Sequence, residues 1–341
     1  MKKIIHIIPS NTIGGVEMAA ETAKNIKSKN FIFEIIYLSR KKYIFGQSFF
    51  SLFELLINTK KILKKDPDFV IVSLWKSCIS AYLLSIFKPK VKIILFLHLT
   101  KSANLVDYLI SKIISRKAFQ IWSDSKITNL IRSNELKIDD KKPRKIISFI
   151  RYKISSNENY SSEPNFIFWG RIHKQKRLEK AIILFNSINK EIKESKFLII
   201  GPDCGDLSNL KKLVKNLKIT KNVFFQKEKT LQEIIKISKN YSFFMQLSDY
   251  EGMGMSVIES MQLGLVPVIT EVGEIASYCK HYSNSIVFQD FKKTSKEVIN
   301  LIKQKDIYEK IRLRAIKTWD RTLTYKEDFK NNLDILSNLI D

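Results

Sequence analysis

The sequence predicts an α/β chain folded as two doubly wound, Rossmann-like domains. Three observations carry that prediction. A length of 341 residues corresponds to about two domains at roughly 150 residues each. Short β-branched and aromatic runs alternate with helical patterns from end to end, as in a parallel sheet with crossover helices. One polar interruption, Arg151 to Pro164 (RYKISSNENYSSEP), rich in Ser and Asn, reads as an interdomain linker. The expected division is residues 1–155, residues 156–320, and a C-terminal helix over 321–341 that packs back toward the first domain. Two such sheets are expected to face a central cleft, with ligands at the carboxyl ends of the strands.

Taken in order, the first domain offers strands at Lys3 to Pro9, Phe31 to Leu38, Phe69 to Leu74, Val91 to Leu97, Ala118 to Ser123 and Lys145 to Phe149. Helical patterns lie between them, near Gly15 to Ser28, Ser48 to Lys65, Ser77 to Phe87, Ala103 to Arg116 and Lys126 to Ser133. After the linker the alternation restarts. Strands are expected at Asn165 to Gly170, Lys196 to Gly201, Val223 to Gln226, Ser242 to Leu247, Leu265 to Thr270 and Ser285 to Phe288. Helices are expected at Leu178 to Glu191, Leu207 to Leu217, Thr230 to Lys239, Met255 to Leu263 and Lys292 to Gln304. Asp306 to Trp319 and Leu323 to Leu339 are helical with no strand between them.

Composition narrows the function classes. With 45% hydrophobic and 27% charged residues the chain is globular. Its apolar runs, such as Ile79 to Phe87, are too short to span a bilayer. Met1 to Pro9 reads as a buried strand and not a signal peptide. Cys78, Cys204 and Cys279 fit neither a disulfide framework nor a zinc site, so a cytoplasmic setting is expected. The net charge of +25 is uneven: residues 1–160 hold 29 Lys and Arg against 12 Asp and Glu. A nucleic-acid surface, attraction to anionic lipid headgroups, or AT-rich coding would each produce such an excess. No nucleic-acid motif, and no interleaving of aromatics with lysines on a sheet face, accompanies it.

Three local signals carry chemistry. Ser248 to Glu259 (SDYEGMGMSVIE) follows a strand and precedes a helix. Its glycines, with Gly252, Met253, Gly254, Met255 and Ser256, place backbone N–H groups where a phosphate or sugar hydroxyl could bind. Glu251 and Glu259 could accept hydrogen bonds from vicinal diols; a first-turn carboxylate and a solvated helix glutamate are the plainer alternative. Phe166 to Arg177 (FIFWGRIHKQKR) ends a strand at Gly170 and sets Arg171 and Lys176 beyond it. A guanidinium and a point charge suit a diphosphate leaving group, although a basic turn on a basic protein looks the same. Gly14 and Gly15 follow the first strand and let the backbone approach a ligand, without a dinucleotide fingerprint. His98 stands at a strand's carboxyl end, where a satisfied structural histidine is the alternative to a catalyst. His6 and His281 read as structural.

Together the Gly14-Gly15-Val16-Glu17, GRIHKQK and EGMGMSVIESMQLGLVPVIT segments resemble family 4 of the retaining glycosyltransferases, with the GT-B fold. The resemblance covers nearly the whole chain and is most specific from Asn165 to Glu274. It implies that Arg171 and Lys176 grip the donor's diphosphate, that Glu251 holds the donor sugar, and that Glu259 takes the ribose hydroxyls. It further implies that His98 lies near the transferring sugar and that Gly14 and Gly15 face the diphosphate and acceptor. Donor choice would rest on side chains around Gln226 and on loop shape. No metal or other cofactor is implied. Two departures stand out: Arg177 occupies the place of the family's usual glycine after lysine, and its Gly-Gly-x-x-Glu is reduced to Val272-Gly273-Glu274.

The implied activity is transfer of a sugar, with retention, from a nucleotide-diphosphate sugar to a lipid-linked saccharide. The setting would be surface-polysaccharide assembly, such as O-antigen, capsule or lipopolysaccharide, at the inner face of the cell membrane. Lys41, Lys42, Lys60, Lys61, Lys64 and Lys65 flank the apolar-rich Tyr43 to Leu63 and fit an anionic membrane surface. The alternatives are an epimerase of the same fold acting on the nucleotide sugar, a basic nucleic-acid-binding protein, and a silent partner subunit.

Overall fold

A computed structural model describes residues 1–10, 15–39, 52–154 and 163–339. They form two compact units, Met1–Tyr152 with Thr322–Asp341, and Lys153–Arg321. The first runs β1 (Lys2–Ser10), α1 (Gly15–Ala23), β2 (Phe31–Ser39), α2 (Leu52–Lys65), β3 (Phe69–Ser73), α3 (Trp75–Phe87), β4 (Lys92–Leu97), α4 (Leu105–Lys117), β5 (Gln120–Ser123), α5 (Lys126–Leu136) and β6 (Arg144–Ile146). The second runs β7 (Phe166–Trp169), α6 (Leu178–Asn189), β8 (Phe197–Ile200), α7 (Leu207–Asn216), β9 (Val223–Gln226), α8 (Leu231–Ser238), β10 (Phe243–Gln246), α9 (Met255–Gln262), β11 (Val266–Ile269), α10 (Ile275–Tyr278), β12 (Ile286–Val287), α11 (Phe291–Lys303) and α12 (Lys305–Lys317). The chain then re-enters the first unit as α13 (Tyr325–Asn338).

Every strand pair is parallel. The first sheet has the order β2-β1-β3-β4-β5-β6 and the second β12-β11-β10-β7-β8-β9. Strands in the middle of such sheets are covered on both faces, which is why they read as unbroken apolar runs and not as alternations. β1 is buried from Ile4 to Ser10, and β7 and β10 along their whole length. Right-handed crossovers place α2 to α5 on one face of the first sheet and α1 on the other. Caps fix the helix starts: Asn104 and Ser125 accept from the N–H groups of Asp107 and Thr128, and Thr230 with Glu233 forms a capping box.

Two element boundaries differ from expectation. α1 stops at Ala23, because Lys24 and Ile26 turn their N–H groups onto carbonyls three residues back. The last strand of the first sheet pairs only to Ile146. Beyond it the backbone turns to α13: Ser148 N–H is 2.6 Å from Asp328 Oδ2, and Tyr325 N–H donates to the Ile150 carbonyl at 2.6 Å. Gly14, Lys41, Lys42 and residues 43–51 lie outside the described residues. The rest of the apolar stretch is α2, which buries Leu55 and Ile62 and exposes Leu56 and Ile57.

α13 closes the first unit on the side of α1. Its capping box is Thr324 with Glu327. Phe329, fully buried, stacks on His6 at 5.6 Å between ring centroids and meets Trp122 edge-on at 5.6 Å. Truncating a buried aromatic costs about 3–5 kcal/mol, and urea unfolding of Phe329→Ala should show a loss of that size. Burial first, and the nearby His98 second, push the His6 imidazole from its ordinary 6.5 down to about 3. Between those values the unfolded chain holds the extra proton, so stability falls as pH drops below 6.5. The slope from this group is about 1.4 kcal/mol per pH unit. Urea midpoints above and below pH 6.5 should therefore differ more in the wild type than in His6→Gln.

Candidate functional site

The strand order of the second sheet reverses between β7 and β10, and aromatic stacking holds that seam. Phe166 lies over Phe243 at 5.0 Å and Phe168 over Phe244 at 6.0 Å. The loops after these two strands therefore leave the carboxyl edge side by side, where doubly wound sheets bind ligands. They are also tied to each other. Asp249 N–H donates to the Gln175 carbonyl at 3.0 Å, and Gln175 Nε2 returns a bond to the Tyr250 carbonyl at 2.8 Å.

Across this seam the Lys176 ammonium lies 2.6 Å from Glu251 Oε1, with both side chains largely shielded from solvent, at 11% and 8% exposure. The same carboxylate oxygen accepts from Ser248 Oγ at 2.6 Å and Gln246 Nε2 at 3.0 Å. Gln246 in turn accepts from Ser256 Oγ at 2.8 Å. Glu251 is thus a fixed acceptor with a cation beside it. The turn that aims Lys176 is a single 3-10 turn, Lys174–Lys176, followed by Arg177 in the left-handed region at φ 48°. A side chain there costs about 1–2 kcal/mol. Arg177 offsets this with ion pairs to Glu179 at 2.7 Å and Asp249 at 3.5 Å.

The glycine loop is held by Gly273 and Glu274, which the sequence marks as a shortened motif, and by Tyr278, which sequence reading missed. Glu274 N–H bonds the Gly252 carbonyl at 3.0 Å, and Tyr278 donates its hydroxyl to the Met253 carbonyl at 2.7 Å. A Cβ on Gly273 (φ 55°) would sit 2.0 Å from the Glu251 carbonyl oxygen, so only glycine fits beneath the loop. Gly254, at φ 66°, opens α9, and Met255 is the helix's first residue. Ser248 opens the motif and Gln246 lies two residues before it; a polar residue ending an otherwise apolar strand was the available signal for Gln246.

The remaining candidates fall elsewhere. Glu259 is not a solvated helix glutamate: it is 5% exposed, and Trp169 Nε1 donates to its Oε2 at 3.0 Å. Arg171 is exposed, beside Cys204, whose thiol burial raises and Arg171 lowers. Gln226 ends β9, with β8 between it and β7, and its carbonyl accepts the Gly201 N–H at 3.0 Å. His98 and Gly15 belong to the first unit. The His98 ring is buried; Nε2 is 2.9 Å from Ser73 Oγ, and Nδ1 faces Asp124 Oδ2 at 3.5 Å. Ser73 Oγ is also 2.8 Å from His6 Nε2. His98 lines a small pocket with Trp75, Cys78, Asp107 and Arg132. A Cβ on Gly15 would touch Phe149 at an ordinary 3.8 Å, so nothing within this unit demands glycine there. Among the described residues, no three His, Cys, Asp or Glu side chains are grouped to hold a metal ion.

Comparison with known proteins adds the following. Residues 150–318 match the family described as glycosyl transferases group 1. Over 157 residues the chain is 27% identical to the N-acetyl-alpha-D-glucosaminyl L-malate synthase of Bacillus anthracis, covering 45% of this chain and 40% of that protein. The chain thus spans less than half the length of that curated relative. The fold is that of Anabaena HepE, solved in complex with UDP and glucose (TM-score 0.78, 13% identity, 99% of this chain and 100% of that one). It is also that of the lipopolysaccharide outer core galactosyltransferase WaaB (TM-score 0.69, 16% identity, 98% and 100%). Both units therefore have the doubly wound layout of GT-B proteins.

The Trp169 indole donates to a buried carboxylate, and removing such a donor costs about 1–3 kcal/mol. Trp169→Phe keeps the ring packing against Phe244 and should lower unfolding stability by that amount in a urea titration. An unchanged midpoint would show that Glu259 is held by other groups.

Proposed function

We propose that this chain, which belongs through residues 150–318 to the group 1 glycosyl transferases, moves a sugar from a nucleotide-diphosphate donor to a lipid-linked saccharide. Configuration is retained, and the product serves bacterial surface polysaccharide such as O-antigen, capsule or lipopolysaccharide. The observation that carries this reading is the Lys176–Glu251 pair on two loops tied together where the strand order reverses. It puts a cation and a hydroxyl acceptor a few ångströms apart beside a helix start. Those are the groups that a sugar joined to a diphosphate needs. The names of HepE's ligands and of WaaB support the donor class and the pathway.

The chemistry assigned to each residue follows from charge. Breaking the glycosyl C–O bond leaves the bonding pair on a diphosphate oxygen, and Lys176 and Arg171 stabilise that developing charge. Glu251 accepts from the donor sugar's hydroxyls, and Glu259 from the ribose. The backbone from Gly252 to Ser256 lies alongside, and His98, Gly14 and Gly15 serve the acceptor side. The new C–O bond forms on the departing face, and the acceptor's proton goes to the leaving diphosphate, so neither a metal nor a protein nucleophile is invoked. Without donor, Lys176 and Glu251 satisfy each other. Binding is therefore a partner exchange: diphosphate takes the ammonium and a sugar hydroxyl takes the carboxylate.

No helix among the described residues is long and apolar enough to cross a membrane. We place the protein at the inner face of the cell membrane, where a lipid-linked acceptor lies. A thermal-shift screen against UDP, GDP, ADP and CMP should give stabilisation with one diphosphate nucleotide, lost in Lys176→Ala. Lys176→Ala and Glu251→Gln should each lower transfer by about 10²–10³-fold. Near-normal turnover in either folded variant would overturn the assignment.

A further inference from the structure

Helix α4 is apolar on two faces: Ile110 and Ile114 pack on the core of the first unit, yet a second apolar stripe faces water. A surface helix ordinarily turns its apolar stripe to the core and its polar residues to water. Here Asp107, Ser111 and Ser115 are buried, at 2–3% exposure, while Leu105, Val106, Leu109 and Ile113 are 40–71% exposed. Positions 105, 109 and 113 follow the i, i+4 row, so these side chains form one continuous outward stripe. The rotation of the helix is fixed from inside. Asp107 Oδ1 accepts from Arg132 NH2 at 2.7 Å and from Ser111 Oγ at 2.8 Å, and Asp107 Oδ2 accepts from the Ala103 N–H at 2.7 Å. Turning the stripe inward would strand a buried ion pair, which is strongly unfavourable.

Charge around the stripe selects the occupant. From Leu99 to Asn134 both acidic residues, Asp107 and Asp124, are buried, whereas Lys101, Arg116 and Lys117 are exposed. An apolar strip bordered by cations is the signature of a helix lying in the headgroup region of an anionic bilayer. A second copy of the chain fits less well, since a two-fold contact would bring the same cationic border against itself. We propose that the outward face of α4 is the surface by which the first unit sits on an anionic lipid bilayer. The inference rests on the reading of a lipid-linked acceptor, and it places the lipid contact on α4 instead of the lysine-flanked stretch around α2. The stripe begins seven residues after His98, so the bilayer contact and the candidate acceptor side share one end of the sheet.

The test is co-sedimentation with phosphatidylcholine vesicles with and without phosphatidylglycerol. The wild type should sediment only with the anionic vesicles and be released by salt. The triple variant Leu105→Ser, Leu109→Ser, Ile113→Ser should bind at least about tenfold more weakly, as should Lys101→Gln, Arg116→Gln, Lys117→Gln. Leu56→Ser with Ile57→Ser on α2 should bind like the wild type. The thermal shift with whichever diphosphate nucleotide of the screen above stabilises the protein reports donor binding separately. If it persists while the α4 variants still bind vesicles normally, or while the wild type does not bind, the surface assignment is overturned and the donor reading stands. If it is absent while binding depends on α4, the reverse holds. A dimer that dissociates in the α4 variants with vesicle binding unchanged assigns the face to a second copy and overturns the lipid proposal.

Discussion

The pairing of β7 with β10 is the constraint on which the candidate site depends. Parallel order reverses there, so the two loops that carry Lys176 and Glu251 have no strand between them. Short strands of four residues would hold that seam weakly by backbone bonds alone. The Phe166–Phe243 and Phe168–Phe244 stacks and the Trp169–Phe244 edge contact at 4.6 Å add aromatic packing along it. Trp169 also reaches Glu259 on α9, so the residue that ends β7 sets the helix that follows β10. Packing and site geometry are here the same interactions.

Electrostatics then determines what the seam can do. One carboxylate oxygen gathers an ammonium, a hydroxyl and an amide, and the amide is itself anchored through its oxygen by Ser256. Such a site holds its acceptor in place, so a ligand would meet a carboxylate already oriented. Arg177 shows the strain this tolerates. It holds a left-handed conformation that glycine would adopt freely, and its guanidinium returns the deficit by pairing with Glu179 and Asp249 on the two sides of the turn.

The fold was legible because parallel strands covered on both faces announce themselves as apolar runs between turn residues. Lys3 to Pro9 and Phe31 to Leu38 lie within residues of their strands. What lay beyond the sequence was long-range. The end of β6 depends on a hydrogen bond from the Ser148 N–H to Asp328 and one from the Tyr325 N–H to the Ile150 carbonyl, both with a helix some 170–180 positions later. The one-turn α10, whose Tyr278 and neighbouring Glu274 clamp the glycine loop, is too short to leave a periodic pattern. In the site, Lys176 and Glu251 were readable as charged residues just past strand ends, but their pairing required the strand order. A solvated Glu259 was one of two readings of its helical position, and the indole ninety residues earlier that donates to it belongs to strand β7. α4 carries more apolar residues than one core face can take: Ile114 is buried, and Asp107 with Arg132, 25 positions apart, fixes the rotation that leaves Leu105, Leu109 and Ile113 outside.

α13 belongs to the first unit yet follows the whole of the second. Residues 153–321 must emerge from the ribosome before Tyr325 and Phe329 can reach His6 and Trp122. At about 5–20 residues per second that interval is on the order of ten to thirty seconds. Throughout it the α1 side of the first sheet lacks its final covering helix, and the imidazole of His6 lacks the ring that seals it. The nascent chain therefore carries an unfinished apolar face for the full synthesis time of another domain, a natural target for a holding chaperone.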